Sequence, residues 1–109
     1  MNVKFQEINK TLTVEITEEI DHHSVEKIRR KVDYEIQRCM PKRVIFDFNN
    51  VSFMDSSGIG MLVGRYKLVN MFGGEVGITN VKPNVKRILE MAGICKLIPI
   101  YTEETLQAI

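Results

Sequence analysis

Near the start of the chain apolar and polar residues alternate: Val3 and Phe5, then Leu12, Val14 and Ile16. A period of two predicts strands that bury one face, and Asn9-Lys10 between the runs predicts a tight turn, so an antiparallel hairpin is expected. A break over residues 21–24 follows, after which Val25, Ile28, Val32, Ile36 and Cys39 recur at helical spacing with charges opposite. Ser24 or Asp21 is placed to cap this helix. Pro41 ends it, and the unbroken run Val44-Ile45-Phe46 predicts a central strand buried on both faces.

A second helix is predicted over 56–72, stopped by Gly73-Gly74, with a short strand over 76–79. Pro83 suits a first helical position, and Val85, Ile88, Leu89 and Ala92 form the stripe of a third helix that Gly93 ends. Residues 97–101 read as a last strand, which Pro99 assigns to an edge. Thr102, Glu103 and Glu104 then open a short terminal helix with Leu106 and Ile109 facing inward. The order β-β-α-β-α-β-α-β-α predicts an α/β fold: a mixed sheet with an antiparallel hairpin followed by parallel strands in right-handed crossovers.

Composition narrows the function. A chain of 109 residues with no linker or repeat is expected to be one domain, 1–109. Its apolar share of 44%, charged share of 27% and net charge of +1 are those of an ordinary globular protein, so neither nucleic acid nor membrane is expected as a partner. The longest charge-free stretch, 56–64, is far short of a membrane span, no signal pattern opens the chain, and a cytosolic location is expected. Cys39 and Cys95, with no CxxC, are expected as buried reduced thiols.

The informative stretch is 52–60, Ser-Phe-Met-Asp-Ser-Ser-Gly-Ile-Gly, between the central strand and the second helix. Ser56 falls at the expected N-cap, beside free amides and the positive end of the helix dipole, where a phosphate is compatible with the fold. Gly58, Gly60 and Gly64 each cost a helix about 1 kcal/mol, which points to close approach by another backbone or to thinning against the sheet. The helix is apolar on more than one face, with Ile59, Leu62, Val63 and Tyr66 on one stripe and Met61, Leu68 and Phe72 off it. Two readings of this surface stand, docking and packing under neighbouring helices. Likewise Asp55-Ser56-Ser57-Gly58 is read either as a plain turn and cap or as a modification site.

Several chemistries lack their residues. The run Gly58-x-Gly60-x-x-x-Gly64 begins too far after Phe48 for a dinucleotide turn, no GxxxxGK[ST] phosphate loop exists, and Ser56 lacks a GxSxG elbow. His22 and His23 with Asp21 lack the further ligands of a metal site and fit capping or hydrogen bonding. A general base for Ser56 would have to come from that loop by tertiary approach.

Over nearly its whole length the chain resembles the STAS domains, and among them the bacterial anti-sigma factor antagonists. The likeness runs through Ile20-Asp21-His22-His23, residues 52–60 with the specific core Asp55-Ser56-Ser57-Gly58, Gly64-Arg65-Tyr66-Lys67, and 83–93 with Val85-Lys86-Arg87. It is greatest to the sporulation branch, with general-stress antagonists the near alternative. The resemblance implies a non-enzymatic switch: the unphosphorylated protein binds an anti-sigma factor that is a serine kinase, and the sigma factor is released. The kinase, using ATP as phosphate donor, would then phosphorylate Ser56, and a serine phosphatase would reverse this, with no cofactor of the protein's own. Asp21, Asp55, Ser56, Ser57, Gly58, Ile59, Met61 and Arg65 are the expected partner-binding residues, with Ile59 and Met61 as apolar contacts and Arg65 at the rim. A constitutive STAS adaptor, in which Ser56 only caps its helix, and a small nucleotide-dependent enzyme are the competing classes.

Overall fold

The computed structural model describes residues 1–107. Its strands are β1 (Asn2–Gln6), β2 (Thr11–Glu15), β3 (Arg43–Asp47), β4 (Glu75–Thr79) and β5 (Ile100–Tyr101). Between and after them come α1 (Val25–Cys39), α2 (Ser56–Asn70), α3 (Pro83–Met91), a 3-10 turn (Ile94–Lys96) and α4 (Glu103–Gln107). The sheet runs β1-β2-β3-β4-β5, antiparallel between β1 and β2 and parallel thereafter. The expected element order and mixed sheet are therefore observed.

Period-two alternation turns Leu12, Val14, Val44, Phe46, Val76 and Ile78 to one face of the sheet, where Ile28, Val32 and Ile36 of α1, Leu62 and Val69 of α2, and Val85 and Leu89 of α3 join them in one core. Ile45 projects to the other face and is buried as well, so β3 is covered on both sides. Tyr101 lies across Gly77 there, its ring within 2.3 Å of where a Cβ on Gly77 would stand, which leaves room only for glycine at that point.

Element ends differ from expectation where tertiary contacts decide them. Strand β5 is confined to two residues, because Ile94–Lys96 coils into a 3-10 turn and only then does the Pro99 carbonyl accept the Ile78 amide at 2.9 Å; its edge position is as expected. Helix α2 stops at Asn70, and the Gly73 and Gly74 amides cap it by donating to the Asn70 and Val69 carbonyls. Cys39 and Cys95 are free thiols but only half-buried, rather than interior. Leu106 is half-buried, and Ile109 lies outside the described residues.

Candidate functional site

The loops leaving β2 and β3 are joined at the C-terminal ends of their strands. Ile20 and Met54 form an isolated parallel bridge, in which the Ile20 amide donates to the Phe53 carbonyl at 3.1 Å and the Asp55 amide to the Ile20 carbonyl at 3.0 Å. Both side chains are buried, so the bridge seats residues 21–24 against the first turn of α2. The Ser52 amide donates to Glu19 Oε1 at 2.9 Å, and from the first turn of α3 the Asn84 side chain donates to the Ser52 carbonyl at 2.7 Å. Lys82 Nζ donates to the Asn49 carbonyl at 2.7 Å. Three loops thus meet at the end of the parallel strands, where open α/β sheets present functional groups.

Asp55, rather than Ser56, is the N-cap of α2. Its backbone is extended, and its Oδ1 accepts from the Ser57 amide at 2.9 Å and from the Ser57 hydroxyl. Oδ2 accepts the His22 amide at 3.3 Å, with His22 Nδ1 at 3.8 Å. The Ser57 hydroxyl foremost, then the Ser57 and His22 amides, hold the Asp55 carboxyl below the usual carboxylate range. A capping side chain has to stand just outside the helix, and Ser56 has already entered it. The cap therefore falls to the charged acceptor one residue earlier, and Ser56 is left exposed as the first helical residue.

Asp21 braces the facing loop in the same way: its Oδ1 accepts the His23 and Ser24 amides at 2.9 and 3.0 Å, and these bonds, that from Ser24 foremost, lower its pKa. Ser24 occupies the N-cap position of α1 without capping it, since its hydroxyl turns back to donate to the Glu19 carbonyl at 2.6 Å. The His22 and His23 rings lie 3.9 Å apart. Among the described residues no group of three or more His, Cys, Asp or Glu side chains is placed to hold a metal ion.

Three expected contact residues, Gly58, Met61 and Arg65, are buried. Met61 is 3% exposed and belongs to the core, and Arg65 is 8% exposed, not at a rim. Met61, Arg65 and Val69 succeed each other at four-residue spacing on the buried stripe of α2, which carries the guanidinium inward. It stays there because α1 supplies a counter-ion: Arg65 Nε lies 2.7 Å from Asp33 Oδ1, and Arg65 also donates to the Met61 carbonyl at 3.3 Å. Burial disfavours the Arg65 charge and Asp33 opposes that effect. The wider apolar surface of α2 is thereby mostly packing surface, with Ile59, Val63, Tyr66 and Leu68 half-buried against the core.

Of the three glycines, Gly58 alone is in close approach, to the side chains of Met54 and Ile20, whereas Gly60 and Gly64 face open space. Asp21, Asp55, Ser56 and Ser57 are brought together at the pole, with Ile59 half-buried beside them and Gly58 buried beneath. The sequence reading left two neighbours out of the expected contacts. Phe53 is 50% exposed between the inward-facing Val51 and Met54, and His22 reaches Asp55. A lone aromatic in a polar loop was the available signal for the first; for the second there was none, because its partner lies 33 residues away.

Residues 2–106 match the family model of the STAS domain. The anti-sigma F factor antagonist of Paenibacillus polymyxa is 38% identical over 104 residues, covering 95% of this chain and 89% of that protein. The structure of the anti-sigma factor antagonist SpoIIAA in its unphosphorylated form superposes with a TM-score of 0.78 at 28% identity, over 99% of this chain and 98% of the other. For the Bacillus cell fate determinant SpoIIAA in the phosphorylated form the TM-score is 0.69 at 28% identity, over 98% of this chain and 97% of the other. With a shared fold, a family match along almost its whole length and a relative at this identity, the chain belongs to the STAS-domain family, among its non-enzymatic anti-sigma factor antagonists.

Proposed function

We propose that this chain, when unphosphorylated, binds an anti-sigma factor that is also a serine kinase, so that the sigma factor held by that kinase is released, and that phosphorylation of Ser56 ends the binding. The kinase carries out the chemistry with ATP as phosphate donor, and a serine phosphatase restores the binding form. The chain itself takes no cofactor. A cytoplasmic site of action without direct contact to nucleic acid or membrane belongs to the same reading; it is supported by the net charge of +1 and by the described residues' lack of any helix long and apolar enough to cross a membrane. Similarity to a sigma F antagonist favours the sporulation branch over general stress.

The observation that carries this reading is the placement of Ser56, exposed at the first position of α2 with Asp55 already capping the helix. A phosphate there meets the positive end of the helix dipole and projects to solvent, so the fold tolerates it. In a docked complex the same group adds about −1.5 to −2 charge beside Asp55 and has to lose water. About 1.4 kcal/mol of such penalty is already tenfold in affinity. Asp21, Asp55, Ser56 and Ser57 form the polar part of the docking surface, and Phe53 and Ile59 its apolar part.

The test is the intact mass of the protein after incubation with the candidate kinase and ATP, compared with Ser56→Ala. One added phosphate on the wild type and none on the variant is expected. An unmodified wild type, with the kinase shown active on another substrate, would sink the switch and leave the constitutive adaptor, whose binding is indifferent to Ser56→Asp.

A further inference from the structure

His22 is tied to the phosphoacceptor turn from across the chain, and the proposed switch leaves its side chain unused. Its amide donates to Asp55 Oδ2 at 3.3 Å and its Nδ1 stands 3.8 Å from the same oxygen, while the ring remains 73% exposed and free to turn. The charged and titratable groups beside it are Asp21 on its own loop, His23, whose tilted ring lies 3.9 Å away, and Asp55 at the N-cap of α2. Asp21 is committed to the His23 and Ser24 amides. Of the two rings, that of His22 is the one with a nitrogen within 4 Å of Asp55.

Resting on Ser56 as the phosphorylated residue, we propose that His22 is the counter-ion of the phosphorylated switch: its imidazolium answers the phosphate on Ser56 and the neighbouring Asp55 carboxylate at the head of α2. The phosphate is carried by the residue directly after Asp55, the carboxylate that His22 faces. His22 acts as a positioning residue for the phosphate, whose second ionisation lies near pH 6.

The experiment is a phosphorus NMR titration of protein in which phosphoserine is incorporated at position 56 during translation, so that no kinase is required. In the wild type the phosphate should ionise roughly 0.2 pH unit lower than in His22→Gln, a difference that 1 M salt removes. The glutamine variant keeps the backbone amide on Asp55, so a purely structural role for the residue would leave the phosphate titration unchanged. His23→Gln should move the value less than His22→Gln does. Equal values in wild type and His22→Gln, or a change confined to His23→Gln, would overturn the assignment. Either result leaves phosphorylation by the kinase standing, since that is read separately by intact mass, and failure of the kinase assay does not alter the outcome here.

Discussion

Replacing Gly58 with alanine sets two effects against each other. An alanine in a helix is favoured over glycine by up to about 1 kcal/mol, partly through lower entropy of the unfolded chain. At this position, however, the new Cβ would stand 2.4 Å from Met54 Cγ, 2.5 Å from Met54 Sδ and 3.0 Å from Ile20 Cγ2. Both side chains are buried in the core and form the bridge that seats the two loops, so neither can swing aside without cost. Overpacking of this kind costs about 1–3 kcal/mol, which against the helix gain leaves a net loss of up to about 2 kcal/mol. Gly60→Ala and Gly64→Ala meet nothing within 4 Å and should stabilise by up to about 1 kcal/mol. In a domain of this size each kcal/mol moves Tm by about 4–8 °C, so thermal unfolding should place Gly58→Ala several degrees below the wild type and the other two above it. A Gly58→Ala protein melting at or above Gly64→Ala would refute the close-approach account. Since the bridge sets the Ser56 turn, Gly58→Ala should also slow phosphorylation, whereas Gly64→Ala should not.

Met61→Ala should lower stability by about 2–5 kcal/mol in urea unfolding, whereas the exposed Phe53→Ala should leave the urea midpoint nearly unchanged and weaken the kinase complex about tenfold by calorimetry. The opposite pattern would show that the two residues are misassigned. Arg65→Ala should cost about 1–3 kcal/mol, less than for a fully buried pair, because the Asp33 side chain is 21% exposed and keeps Arg29 Nη1 at 3.3 Å from its other oxygen. Adding Asp33→Ala should cost little more, and strictly additive losses would show the pair to be uncoupled. The carboxyls of Asp21 and Asp55 have folded-state pKa values below their unfolded ones, so their contribution is present above about pH 4 and disappears as pH falls through the lowered folded values. Asp55→Asn should therefore lose stability less steeply than the wild type in that acid range, and parallel curves would rule out an ionised cap.

Legibility from sequence followed the range of the interactions. The period-two and helical patterns report which side of each element meets water, and this is a local property; it placed β3 at the centre, β5 at an edge and all four helices. Ser56 was legible as exposed at a helix start, and it missed the cap by one residue because Asp and Ser are both good caps and only backbone geometry separates them. Arg65 was read as surface because isolated arginine is rarely buried; its inward position depends on Asp33 of another helix, a pairing that no spacing within α2 contains.

By itself, then, the sequence determined the element order, the buried faces, the family likeness and the position of the candidate phosphoacceptor, because these depend on residue type and near-neighbour spacing. Only the tertiary structure decided that Met61 and Arg65 are interior, that Gly58 alone of the three glycines is closely packed, and that His22 stands at Asp55. Each of those depends on which distant segment fills the space opposite a residue, and that follows from the parallel pairing of β2 with β3 and its extension through Ile20 and Met54.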